Sequence, residues 1–211
     1  MKHFLLPLIL FLAALQTARA QDMAAFFIAM PDHRIPQLEE AWRKDLVDLY
    51  RAGKPATLEN MMGGRATLIL LTEDYLLLQT TAQSTLEMKL LPLVNHTHVA
   101  CVVTTLGAPA PDSRVAFFAP DWTPLDAASL WTPPAGEWYL RHDVDPHDPL
   151  LRRATSCLDM HLTHFRLSPD SPTLSAEYAT PQYLSPDERD ALRPFLADTP
   201  HVCRWNDGRF E

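Results

Sequence analysis

The sequence predicts an α+β fold: a large curved antiparallel sheet, built as a meander, with an N-terminal helix packed on one face. Three observations carry that prediction. Between Ala56 and Ala119 the chain divides into six short β-runs, 56–62, 66–71, 75–81, 84–91, 98–106 and 113–119. The clearest run alternates Leu86, Met88 and Leu90 with Thr85, Glu87 and Lys89. Successive strand side chains point to opposite faces, so one face is expected in the core and the other in water. Finally, Gly63-Gly64, Glu73-Asp74, Ala82-Gln83 and Asn95-His96 are connections too short for a crossover helix, which makes neighbouring runs antiparallel. Roughly seven to nine strands are expected in all, within the usual range for one sheet.

Taken from the start, Lys2 and His3 form a small basic opening, Phe4 to Leu15 is apolar, and Ala18-Arg19-Ala20 has the A-x-A form. This predicts a secretory signal peptide over 1–20, cleaved between Ala20 and Gln21. Its apolar run falls short of the roughly 20 residues that span a bilayer. No later segment is apolar enough to cross one. The mature chain, 21–211, is expected to be one exported domain, in the periplasm or cell envelope. It comprises the meander over 56–119, a Pro-rich excursion over 120–156, and C-terminal strands and a helix over 157–211. The formal charge is −8, and loss of Lys2 and Arg19 makes it two units more negative. A negative chain without basic clusters argues against nucleic acid and anionic membranes as partners.

Asp22 to Met30 predicts one or two helical turns, ended by Pro31. A longer helix is expected over 36–52, with Leu38, Ala41, Trp42, Leu46 and Leu49 on its apolar stripe. Glu39 with Arg43, Glu40 with Lys44, and Lys44 with Asp48 stand four residues apart on its opposite face. Pro36 near the start and Gly53 past the end complete the pattern. Beyond the meander, Pro120, Pro124, Pro133, Pro134, Pro146 and Pro149 punctuate a long irregular stretch. Its aromatic residues, among them Trp122, Trp131, Trp138 and Tyr139, predict packing over the sheet rather than disorder. Strand alternation resumes at Leu158, Met160 and Leu162, then shifts phase to Phe165 and Leu167 as at a bulge. Thr173–Tyr178 predicts a returning strand, and His201–Trp205 a last one at the edge. Ser185-Pro186-Asp187-Glu188 is a capping-box helix start.

Three cysteines make an odd number for an oxidising compartment. Cys101, in phase with Val99 and Val103, reads as a small core residue. Cys157 and Cys203 suit either a bridge or two more buried thiols; a bridge would contribute about 4 kcal/mol by the chain-entropy argument.

His142, Asp143, Asp145 and His147 form the richest set of metal-type donors, although their spacing matches no known site and a solvated acidic turn has the same composition. His96 with His98, and His161 with Asp159, are further polar pairs whose simpler reading is surface placement. The sequence has no G-x-S-x-G, no H-E-x-x-H and no phosphate-cradling glycine loop, so no cofactor is implied and catalysis is the minority reading. Trp122 lies between Pro120 and Pro124 in a rigid loop, where an aromatic either anchors a ligand or packs on the sheet edge.

Several motifs come in order: Ala29-Met30-Pro31-Asp32, Gly63-Gly64, Leu71-Thr72-Glu73-Asp74-Tyr75, Thr85 to Pro92, Asp112-Ser113, and Asp121-Trp122-Thr123-Pro124-Leu125. In these the chain resembles a family of small secreted Bacteroidales proteins known only as a domain of unknown function. The resemblance covers most of the mature chain, is strongest through residue 125, and is weak over 126–156. It implies an envelope or periplasmic location and an antiparallel sheet with helices. It transfers no catalytic residue.

Three functions follow in order. The first is non-catalytic binding of an apolar small molecule or an envelope protein, in a cleft between the 36–52 helix and the sheet, with Trp42, Leu46, Met88 and Trp122 as ligand contacts. The second is a metal-assisted hydrolase using the 142–148 cluster. The third is a structural accessory role.

Overall fold

Strand order follows chain order without exception in the main sheet. The computed structural model describes residues 22–60, 62–95, 97–156 and 158–211. Strands β1 (Thr57–Glu59), β2 (Arg65–Leu71), β3 (Tyr75–Thr81), β4 (Ser84–Pro92), β5 (His98–Leu106), β6 (Asp112–Phe118) and β7 (Pro124–Leu125) form one antiparallel meander. All six expected runs are present, and Pro124–Leu125 adds a short seventh by pairing with Phe117 and Phe118. The first turn is fixed by Asn60, a buried amide whose Oδ1 accepts from the backbone N–H groups of Met62 and Gly64. Its amide nitrogen donates to the Thr80 carbonyl, tying that turn to β3. Gly63 sits at φ 73°, a conformation that a residue with a Cβ adopts at a cost. The register shifts between Leu68 and Leu70 and again between Gln79 and Thr81, and such bulges bend and twist a sheet.

One face of the meander carries the helical layer. The Asp22 carboxylate caps α1 (Met23–Ile28) by accepting from Ala25 N–H at 2.7 Å. After a 3-10 turn at Asp32–Arg34 comes α2 (Glu40–Arg51). This helix begins later than expected, because Leu38 N–H bonds the Ile35 carbonyl in a turn. It ends at Gly53 (φ 66°), where Gly53 N–H reaches the Tyr50 carbonyl and Lys54 N–H the Leu49 carbonyl, closing a Schellman motif. Helix α1 packs on β3 and β4, and α2 on β1 and β2.

The buried stripe of α2 is rotated from the expected one. Ala41 is exposed, whereas Arg43 is buried with Leu46 and Val47. Arg43 makes no pair with Glu39. Its guanidinium donates to the carbonyls of Ile28, Met30 and Leu38 and to Asp32 Oδ1 at 2.9 Å. The preceding loop folds back over the helix and presents those carbonyls, so the arginine is held inside by acceptors that helical spacing alone does not reveal. The Lys44–Asp48 pair forms as expected on the exposed side.

The other face, expected in water, is covered by a second sheet. Strands β8 (Thr163–Leu167), β9 (Thr173–Tyr178), β10 (His201–Asn206) and β11 (Arg209–Phe210) pair in the order β11-β10-β9-β8, and β8 packs against β4, β5 and β6. Tyr75, Leu91, Val99, Cys101, Val103 and Phe117 of the meander thereby share a core with Phe165, Leu167, Leu174, Ala176, Cys203 and Trp205. Phe165 and Leu167 face inward as their phase predicts. The preceding alternation does not form a strand: Leu158 to Leu162 is irregular and Met160 is exposed. His201–Asn206 lies inside its sheet, since Arg209–Phe210 adds the edge.

Cover on both faces corrects the expectation for Glu87 and Lys89, each only 3% exposed. Glu87 Oε2 accepts from the Tyr75 hydroxyl at 3.1 Å and from Leu167 N–H at 2.9 Å. Lys89 Nζ reaches Asp74 at 2.9 Å and the Pro169 carbonyl at 2.8 Å. Buried charge survives only when partnered in this way.

The 120–156 excursion is ordered, with α3 (Ala127–Leu130) and α4 (Pro149–Thr155), and Trp131 and Tyr139 buried. Helix α5 (Pro186–Leu192) starts with the expected Ser185–Glu188 capping box. No helix among the described residues is long and apolar enough to cross a membrane.

Candidate functional site

Beside the helical layer, the β5–β6 end of the sheet borders a surface hollow. On its side of the meander, Leu86, Thr104 and Arg114 form one cross-strand row, Met88, Val102 and Ala116 the next, and Leu90, Ala100 and Phe118 a third. With α1 and α2 set over β1–β4, the β5–β6 end of these rows meets the Asp32–Arg34 turn and the Trp122 loop. There a groove of about 540 Å³ remains, bordered by Leu86, Val102 and Phe118, core residues only 5–7% exposed, and by half-buried Ala116. That volume falls within the roughly 300–1,000 Å³ typical of ligand pockets.

Trp122 forms one wall. It adopts φ 66°, rare for a bulky residue, and is held there by tertiary contacts. Its indole stacks on Phe26 at 4.1 Å between ring centroids, and Nε1–H donates to the Phe26 carbonyl at 3.0 Å. Of the two expected fates for this side chain, packing is the one observed. It touches the groove as buried wall rather than as a projecting anchor.

The rim is cationic. Arg34 lays its guanidinium over the Phe118 ring at 4.2 Å and donates through Nη2 to the Trp122 carbonyl at a long 3.5 Å. Its Nε is buried and lacks a hydrogen-bond partner. Arg114 stands exposed on β6, in phase with Ala116 and Phe118, and His33 adds an imidazole. Among the described residues neither arginine has a carboxylate within ion-pair reach, although acids outnumber cations in the chain. Sequence reasoning singled out neither. Arg114 is the more legible, since it interrupts the apolar phase of its strand.

The cleft expected beneath the helix is filled. Leu46 and Met88 have zero exposure, locked in one core with Val47, Leu76 and Leu78, and Trp42 packs half-buried at its margin. Side chains from both layers interdigitate there and leave no accessible surface on these two residues.

The 142–148 donors do not converge. Asp143 is engaged by Arg141 at 3.0 Å, whose hydrogen bond and charge hold its carboxyl below the usual range. Asp145 Oδ1 accepts from the backbone N–H of His147 at 2.8 Å. Among the described residues no group of three or more His, Cys, Asp or Glu side chains is placed to hold a metal ion.

His161 contacts the Tyr178 hydroxyl through Nδ1 at 3.0 Å, so the simpler reading of this residue, not the Asp159 pair, is the one that fits. Burial lowers the pKa of His98; His96 lies outside the described residues. Cys101 and Cys203 are buried free thiols, with burial raising both pKa values, and Cys157 lies outside the described residues.

A second hollow of about 800 Å³ lies between α4 and α5, rimmed by Asp148, Asp187, Glu188 and Asp190. Its charge has the same sign as the chain as a whole. The sheet groove has the opposite sign, which sets it apart.

Comparison with known proteins supplies the family. A model described as protein of unknown function (DUF3256) matches residues 15–210. A solved structure, that of a domain of an uncharacterized protein from Porphyromonas gingivalis W83, is similar at 31% sequence identity and a TM-score of 0.78. The match covers 88% of this chain and 96% of that one. No curated protein matches. The chain belongs to the DUF3256 family.

Proposed function

We propose that this member of the DUF3256 family is an exported, non-catalytic binding protein that works in the periplasm or cell envelope and takes an apolar ligand in the β5–β6 groove. The observation that carries this reading is the groove itself. It is a hollow of pocket size at which Leu86, Val102, Phe118 and Trp122 meet two arginines, Arg34 and Arg114. Export is supported by the basic start, the apolar run and the Ala18-Arg19-Ala20 ending.

Recovery of the native protein from its own envelope fraction tests both halves. Sequencing should give an N-terminus at Gln21, and mass spectrometry under native conditions should detect a retained small molecule that denaturation releases. Protein that still begins at Met1 would remove the export half. Repeated recovery of the bare chain, at a concentration where weak ligands are retained, counts against the binding half.

A further inference from the structure

We infer that the hollow between α4 and α5 is a docking site for a basic segment of another protein, one apolar side chain flanked by lysine or arginine. This surface is separate from the β5–β6 groove and does not depend on the ligand proposed there. Asp148 caps α4 by accepting from Leu150 N–H at 2.7 Å, and Pro149 stands in the first turn. Leu151 then enters the small core with Tyr139 and Leu140, against which Phe195 packs. Its neighbour Leu150 stays outside that core and is 67% exposed. Ala191 of α5 and Pro194 of the 3-10 turn after it also line the hollow and are exposed, and half-buried Phe195 completes the apolar lining. These groups are open to an incoming side chain.

Charge selects the partner. Four carboxylates line the hollow, those of Asp148, Asp187, Glu188 and Asp190, against one cation, Arg153. Asp148 and Glu188 already serve the helix starts, Glu188 through the capping box with Ser185. Asp187 and Asp190 are exposed, and among the described residues neither forms an ion pair. Arg153 forms none either, so the excess negative charge is not neutralised from within the chain. A lysine or arginine on a partner would meet carboxylates from both helices while the apolar side chain beside it covers Leu150. The net negative charge of the chain opposes a second copy of it here, and the acidic rim opposes an anionic lipid surface. Each bounding helix has 7 residues and is therefore about 10 Å long, which suits one short segment rather than a whole domain.

Fluorescence anisotropy of three labelled peptides with the mature protein tests this: one alternating lysine with leucine, one with glutamate for each lysine, and one with serine for each leucine. Saturable binding of the lysine–leucine peptide is expected, at least about tenfold tighter than either of the others, because the apolar contact and the charge are both needed. Leu150→Ser, a change at an exposed position, should weaken it about tenfold. Asp187→Asn together with Asp190→Asn should weaken it about three- to tenfold, as loss of two exposed ion pairs does, and added salt should act in the same direction. Glu40→Gln together with Asp45→Asn removes the same charge from exposed positions of α2 and should leave the affinity unchanged. All variants should keep the wild-type unfolding midpoint. Equal weakening by the two double variants would overturn the inference, since the attraction would then be to the negative chain as a whole. Native wild type that binds the lysine–leucine peptide no better than the other two would overturn it as well. Self-association of the peptide-free chain that Leu150→Ser abolishes would overturn the choice of partner in favour of a second copy.

Discussion

Replacing Arg43 with alanine is expected to cost about 3–5 kcal/mol, the scale seen when one partner of a buried charged network is removed. The side chain is 1% exposed, and it satisfies the carbonyls of Ile28, Met30 and Leu38 together with Asp32. Alanine leaves three backbone acceptors without their donor, and each buried orphan costs about 1–3 kcal/mol. It also opens a cavity between α2 and the loop after α1. Arg43→Lys should recover only part of the loss, because one ammonium cannot reach acceptors spread across the two ends of a guanidinium. Denaturant unfolding measures both variants. A loss below about 1 kcal/mol for Arg43→Ala would mean that the loop carbonyls find other donors, and that the arginine does not clamp the helical layer.

Met88→Ala and Glu87→Ala should both be costly, although the two side chains point to opposite faces of β4. Met88 is fully buried between the sheet and the helices, and its truncation should cost about 2–5 kcal/mol. Glu87 is buried between the two sheets, and alanine there strands the Tyr75 hydroxyl and Leu167 N–H, at about 1–3 kcal/mol for each group left unpaired. On a strand with one wet face the second change would be nearly neutral. Comparable losses by denaturant unfolding therefore report the cover supplied by β8.

Glu87 also gives that cover a pH signature. Burial raises its carboxyl pKa above the ordinary 4.5, and the bonds from Leu167 and Tyr75 only partly oppose the shift. A raised folded value means that the native state favours the protonated form. The stability this group contributes is complete below 4.5 and is lost as pH rises through the folded value. The stability of wild type relative to Glu87→Gln should fall across that window and level off above it.

The meander was legible because a period of two survives on a strand whatever covers its other face. Leu86, Met88 and Leu90 are buried as their alternation predicts. What covers Glu87 and Lys89 was not legible, because Leu167 and Pro169 stand 80 residues further along the chain. Arg43 was hidden for a related reason: its spacing from Glu39 fits a surface pair, while its true acceptors are carbonyls, which carry no residue identity. Over Leu158–Leu162 the alternation was present without a neighbouring strand to pair with, so no sheet formed there. The candidate site was legible only in part. Trp122 was marked by its flanking prolines, but the groove beside it exists because α1 and α2 lie over β1–β4, and packing of that kind has no period in the sequence. Arg34 and Arg114 come from a turn and a strand 80 residues apart, and only the fold sets them on one rim.

Titration of a long-chain apolar fluorescent probe into native wild type and into Thr104→Trp tests the groove most directly. Thr104 is exposed beside the floor, and strands accept tryptophan readily, so the substitution fills the space without disturbing the core. Saturable binding to wild type, lost in Thr104→Trp while its unfolding midpoint stays the same, is the predicted result. Native wild type that shows no saturable binding, or a Thr104→Trp protein that binds as well as wild type, would contradict it.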